Sequence, residues 1–174
     1  QHRQMIDPLL KLFNIRVDYD LNIMKVNQDL EHVTNSVLRE VGKILDAEKF
    51  DYVFVQGDTT TAMAAALAGF YKKVKVAHVE AGLRTWDKQH PYPEEVNRRI
   101  IDSLADVYFA HTKLAQDNLL KEGVHKKDIE VTGNTVIDAL LDVTDQPYDF
   151  NAIPKLAGIS RDKRKLILVT AHRR

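Results

Sequence analysis

The stretch 51–95 constrains the fold more than any other part of the chain. It reads DYVFVQGDTTTAMAAALAGFYKKVKVAHVEAGLRTWDKQHPYPEE. Two apolar runs, 52–55 and 74–79, each lead into a polar group, Gln56-Gly57-Asp58 and then Glu80-Ala81-Gly82. Between them 60–71 is alanine-rich and of helical length. This order predicts a βαβ unit with parallel strands and a right-handed crossover. In open sheets of this kind ligands bind beyond the carboxyl ends of the strands. Asp58 and Glu80 both fall at that edge and are expected to face one crevice. Position alone leaves a second reading of Asp58, as the N-cap of the helix it precedes. The loop after Glu80 carries Arg84 and ends at Glu94 and Glu95. Both lie where a helix begins, so the helix dipole alone accounts for them equally well. Arg98 and Arg99, one turn on, are placed to pair with them.

The rest of the chain extends the same pattern. Met5, Leu9, Leu12 and Phe13 predict an amphipathic helix near the start, with Pro8 best tolerated in a first turn. The alternation of Ile15, Val17, Tyr19 and Leu21 predicts a short strand or an extended loop. Leu30, Val33, Val37, Val41, Ile44 and Leu45 form one helical stripe, with Asn27 as its expected N-cap and His32 and Arg39 on its wet face. Gly42 weakens that helix or lets a neighbour approach. The run 52–55 is continuous enough to suggest a strand covered on both faces. Pro93 suits the first turn of a helix that turns Ile100, Ile101 and Leu104 inward. Further strands are expected at 105–110, 129–132 and 165–170, with helices 113–122 and 136–143 between. The expected organisation is one Rossmann-like domain over 1–144, a linker at 145–164, and the first strand of a second domain at 165–174. A strand without a following helix is an incomplete unit, so the chain is expected to be a piece of a longer α/β protein.

Composition removes several classes of function. Lys and Arg total 25 and so do Asp and Glu, giving a net charge of zero, whereas a protein led by phosphate contacts to nucleic acid is expected to be basic. No apolar run reaches the length of a membrane helix. Cysteine is absent, which excludes disulfides and thiol catalysis and fits a cytoplasmic protein. His78 and Glu80, two apart on a strand, point the same way. The pair could be two metal ligands, but no third ligand appears at a familiar spacing, so His78 is expected to be a hydrogen-bonded residue near the site.

Five motifs in one order carry a more specific signal: QGDTTT (56–61), HVEAGLRT (78–85), PYPEEVNR (91–98), VTGNTVIDAL (131–140) and VTAHRR (169–174). Together they resemble the non-hydrolysing UDP-N-acetylglucosamine 2-epimerases, over the whole chain from QHRQM onward. The resemblance implies most of the N-terminal half of a GT-B fold, two Rossmann-like halves with the active site between them. It implies interconversion of UDP-GlcNAc and UDP-ManNAc without an added cofactor or metal, in the cytoplasm, feeding cell-envelope polysaccharide synthesis. Asp58, Glu80 and Glu94 match the family's essential acidic residues, His172 a histidine near the diphosphate, and Arg98 an arginine near the same site. Gln1, His2 and Gln4 match a helix that helps bind a second, activating UDP-GlcNAc. A homodimer is implied for the intact protein, with neither nucleic acid nor membrane as partner. Parts of both phosphate-binding regions are missing from the motifs present, so this chain by itself is expected to be inactive.

The implied chemistry has a physical logic. The C2 proton of an N-acetylhexosamine is not next to a carbonyl, so direct deprotonation is too hard. Loss of that proton together with UDP gives a 2-acetamidoglucal, and re-addition to the other face gives the epimer. Carboxylates gathered in a partly dry cleft can share the acid and base roles, while cationic groups steady the departing diphosphate. The residues leave open which of the three carboxylates does what. Three other readings stand beside it: a GT-B glycosyltransferase, a hydrolysing relative that releases free ManNAc, and a non-catalytic module that binds a nucleotide-sugar.

Overall fold

A computed structural model describes the backbone of residues 3–157 together with Lys165, Ile167 and Val169, and side chains from Ile6 onward. The strand expected at 165–170, apart from those three residues, lies outside the described residues, as does most of the second domain expected at 165–174. The backbone divides into two compact units, Gln1–Asn134 and Thr135–Arg174.

The first unit is a parallel sheet of four strands in the order β1-β2-β3-β4, namely Tyr52–Gln56, Lys75–Ala81, Val107–Ala110 and Ile129–Val131. The helices in chain order before and between them are α1 (Arg3–Leu12), α2 (Leu30–Ala47), α3 (Thr60–Tyr71), α4 (Glu94–Leu104) and α5 (Lys113–Lys121). This is the Rossmann-like alternation that the hydrophobic pattern predicts. The second unit contains α6 (Thr135–Thr144), the helix expected at 136–143, and a 3-10 turn at Phe150–Ala152 within the stretch expected to be linker.

Alanine in α3 is what lets the layers close. Ala62 and Ala66 pack with Val55, Val76 and Ile101, while Ala64 meets Val33 and Val37 of α2. At Gly69 a methyl group would come within 3.1 Å of the Val76 side chain and 3.2 Å of Val53. A second cluster, Ala81, Tyr108, Ala110, Ala115, Leu119 and Ile129, seats α5. Thr59 caps α3 by accepting from the Ala62 amide at 3.1 Å, and Thr112 does the same for Ala115 at the start of α5.

Several expectations are corrected. The N-cap of α2 is Asp29, which accepts from the His32 amide at 2.7 Å; Asn27 instead sits in a left-handed turn with φ 57°. His32 is half-buried, its Nε2 bonded to the Ile23 carbonyl, because the 17–24 segment folds back as an extended loop and not as a strand. Pro8 lies inside α1, beyond its first turn. Pro93 is the residue before α4 and not part of its first turn. Ile100 remains 36% exposed while Ile101 takes the core position. Finally, β1 is covered on one face only among the described residues. Val55 faces the helices, but Phe54 on the other face is 64% exposed and stacks on Phe109 at 6.1 Å. An apolar run records that a strand is hydrophobic, not which face finds a partner.

Candidate active site

The carboxyl edge of the sheet gathers the acidic residues. β1 ends at Gln56 and turns through Gly57, whose φ is +70° and whose amide donates to the Val79 carbonyl at 3.0 Å. A side chain on Gly57 would meet the Glu80 carboxylate, Oε2 lying 3.4 Å from the position of its Cβ. Glycine here serves the left-handed turn, and the Glu80 carboxylate lies at van der Waals distance beside it. Glu80 has φ +71° and lies at a register shift between Val79 and Ala81. The regular alternation that would point His78 and Glu80 the same way is thus broken: His78 is fully buried and Glu80 is half-exposed. Bulges near a strand end re-aim a side chain in this manner.

Asp58 follows Gly57 directly. It is not the cap of α3, since Thr59 fills that role. Its carboxylate pairs with Arg98, Oδ2 to Nη2 at 2.9 Å, and its carbonyl accepts from Asn97 Nδ2 at 3.0 Å. Arg98 reaches back along α4 to the Glu94 carbonyl at 3.3 Å. Asp58 and the first turn of α4, where Glu94 sits half-buried, are therefore linked through Arg98, with Glu80 across the Gly57 turn. Arg98 is almost fully buried and engaged with Asp58, so it forms the floor beneath the carboxylates.

Below them lies a sealed layer that the sequence reading met in part: the hydrogen-bonded His78 and the pairing of Glu95 with Arg98, 3.6 Å apart, were expected, while Asp102 and its partners were missed. Glu95 is fully buried and accepts from the amides of Thr85 at 3.0 Å and Trp86 at 3.1 Å, holding the loop after β2. Asp102 accepts from Gly82 N at 3.2 Å and Arg84 Nη2 at 2.7 Å, and lies 2.6 Å from His78 Nδ1. Arg84 also grips Glu122 through Nε at 2.9 Å and Nη2 at 2.5 Å. Burial opposes the Arg84 charge, but the bonds to Glu122 and Asp102 outweigh it and push the guanidinium above its ordinary range. The available signal was helical spacing: Glu95, Arg98 and Asp102 fall at i, i+3 and i+7, one face of α4, turned to the sheet.

Of the other expected site residues, Gln1, His2 and His172 lie outside the described residues, and Gln4 is described only as backbone in α1. A groove of about 430 Å³ runs beside α1, lined by Ile6, Leu10, Tyr19, Leu21 and Val37 among others. Among the described residues no group of three His, Asp or Glu side chains is arranged to hold a metal ion.

Comparison with known proteins decides the family. The sequence profile described as UDP-N-acetylglucosamine 2-epimerase matches residues 1–174. The chain belongs to the UDP-N-acetylglucosamine 2-epimerase family. It is 48% identical to the UDP-N-acetylglucosamine 2-epimerase of Campylobacter jejuni, over all of this chain and 47% of the relative. A crystal structure of the UDP-GlcNAc 2-epimerase from Neisseria meningitidis bound to UDP-GlcNAc superposes with a TM-score of 0.80 at 45% identity, covering 92% of this chain and 42% of that one. The Methanocaldococcus jannaschii epimerase in complex with UDP-GlcNAc and UDP gives a TM-score of 0.76 at 39% identity, covering 84% and 41%. The chain thus spans about half the length of the epimerases it matches. The motif resemblance and the sheet topology agree with this family assignment.

Proposed function

We propose that this chain supplies the acidic wall of an active site that interconverts UDP-GlcNAc and UDP-ManNAc. One observation carries the reading: Glu80 is seated over Gly57 beside Asp58, and Arg98 ties Asp58 to the turn that holds Glu94. Three carboxylates on three elements around one crevice suit a reaction that removes a proton from one face of C2 and returns one to the other. In the first half, a carboxylate takes the C2 proton, the electron pair forms the C1–C2 double bond, and the C1–O bond breaks to release UDP. In the second half, UDP adds back at C1 while a proton is delivered to the opposite face of C2. Asp58 is held by Arg98 at 2.9 Å, which leaves Glu80 and Glu94 as the pair less tightly tied for proton transfer. His172 and cationic groups of the complete protein would steady the diphosphate.

The wider features follow the same proposal. UDP-GlcNAc, besides being the substrate, acts as an activating ligand at Gln1, His2 and Gln4. The complete protein is a homodimer of the cytoplasm. No described helix is long and apolar enough to cross a membrane.

The test uses the complete protein with UDP-GlcNAc in D2O. Product carrying deuterium at C2 is expected, because the abstracted proton exchanges with solvent before return. Asp58→Asn, Glu80→Gln and Glu94→Gln keep shape and remove the carboxylate. Each is expected to lower the rate on the order of a hundredfold or more, while Lys72→Ala and Lys126→Ala leave it near wild type. Product without deuterium at C2, or near-normal rates for all three amide variants, overturns the reading. Free ManNAc plus UDP would mark a hydrolysing enzyme, and transfer to an acceptor a glycosyltransferase.

A further inference from the structure

One buried histidine beneath the crevice touches the elements that carry all three carboxylates. His78 is fully buried on β2, two residues before Glu80. Its Nε2 lies 2.9 Å from the carbonyl of Gly57, the residue before Asp58. Its Nδ1 lies 2.6 Å from Asp102 Oδ1 on α4, the helix whose first residue is Glu94. The Gly57 oxygen is a carbonyl and only accepts, so Nε2 carries hydrogen. Asp102 Oδ2 accepts from Gly82 N and Arg84 Nη2, which leaves Oδ1 to the ring. With Asp102 ionised, Nδ1 carries hydrogen as well, and the ring donates on both sides. The charged groups around it are Asp102 from α4, Arg84 from the loop after β2, Glu122 at the end of α5 through Arg84, and Glu80 across Gly57.

We propose that His78 is the positioning residue of this crevice, a doubly donating imidazolium that ties the Gly57 turn to Asp102 and so sets the spacing of Asp58, Glu80 and Glu94. It touches no substrate in this role and acts through the groups it holds. The kinetic consequence rests on the epimerase reading; the clamp itself does not. Elimination and re-addition use opposite faces of C2, so the carboxylates must keep their separation through two half-reactions. Misplacement of a reacting group by about 1 Å is enough to cost about a hundredfold in rate.

The test has two independent arms, both on the complete protein. In the first, the ring nitrogens are labelled with nitrogen-15, and His78 is expected to show two N–H signals. A single N–H, the mark of a neutral ring, overturns the clamp. In the second, His78→Gln and Asp102→Asn are expected to lower kcat by about tenfold to a hundredfold with KM changed by less than about twofold. More UDP and glucal should escape per turnover, and amide exchange at residues 57–59 should quicken. A folded His78→Gln protein with wild-type kcat, unchanged partition and only a lower melting temperature would reduce His78 to a packing residue and overturn the proposal. Should both variants fail to fold, the ring signals of the wild type still decide it. If the wild type returns no deuterium at C2, the epimerase reading falls, while the ring signals and the exchange at 57–59 continue to judge the clamp.

Discussion

Glu94 and Glu95 are neighbours in the first turn of one helix, yet they belong to different layers of the molecule. Glu94 stands at the crevice with Asp58 and Glu80, each partly open to solvent. Glu95 is sealed among backbone amides, in the same layer as Asp102, His78 and the Arg84 side chain. Both layers are built from the same residue types. The difference lies in burial. In the lower layer every carboxylate oxygen discussed has a short partner, so burial is tolerable. In the upper layer the carboxylates are partly open to solvent, as the proposed proton transfers require. On that proposal stability lies below and chemistry above, and the two are separable by mutation.

The largest expected effect is in the sealed layer. Asp102→Ala removes the acceptor for His78, Gly82 and Arg84 together, leaving buried donors unmet and Arg84 with Glu122 alone. It is expected to destabilise the fold by about 3–5 kcal/mol, measured by urea unfolding against Glu94→Gln, for which the loss should be far smaller. Equal losses for the two variants would erase the distinction between the layers.

The two glycines sharpen the comparison next. Gly82 has φ +85°, and a methyl there would lie 2.3 Å from the Ala115 carbonyl oxygen and 2.8 Å from its carbon, both backbone atoms that cannot yield cheaply. Gly82→Ala is expected to cost about 1–3 kcal/mol or more through this overlap and the strained turn. Gly57→Ala meets only the Glu80 carboxylate at 3.4 Å. It should cost less stability than Gly82→Ala but disturb the rate more, because its strain at φ +70° falls on the turn that carries Asp58. The reverse order, with Gly57→Ala the more destabilising, would mean that the turn carries the fold and not the site.

The smallest effect concerns alkaline pH. The Tyr108 hydroxyl donates to the carbonyls of Asp102 at 2.8 Å and Ala105 at 2.7 Å. Burial first, and then the charge of Asp102, push its phenol up to about 12 from an ordinary value of 10.0. In the unfolded chain the phenol ionises near the ordinary value, so between the two the native state holds more protons. Its contribution to stability is therefore complete below about pH 10 and is lost as pH rises through about 12. Denaturant midpoints across that window should fall with pH, and Tyr108→Phe should remove that part of the slope. An unchanged slope would take Tyr108 out of the sealed layer.

Much of this was legible without coordinates. The βαβ order of 51–81, the parallel sheet and the placing of Asp58 and Glu80 at one edge follow from apolar runs, turn residues and helix length. Those signals are local, because the chain's own periodicity decides which face is apolar and where an element ends. The motifs added the family and the candidate role of Glu94. Some local readings nevertheless went to a neighbour: Asp29 and not Asn27 caps α2, and Thr59 and not Asp58 caps α3. Cap residues compete within two or three positions, and the winner is set by where the helix axis is held by packing.

The sequence by itself determined the alternation of elements, the hydrophobic character of each, and the edge at which the acids emerge. Only the tertiary structure decided which charge meets which. His78 finds Asp102 at a separation of 24 residues, and Arg84 finds Glu122 at 38. The partner of Asp58 on α4 and the sealing of Glu95 beside the exposed turn of Glu94 were decided in the same way. Electrostatic pairing acts through space over a few ångströms, so it depends on strand register and helix rotation that no local pattern encodes. The bare face of Phe54 and Phe109 has the same origin: a run of apolar residues specifies that surface must be buried, and the rest of the fold specifies by what.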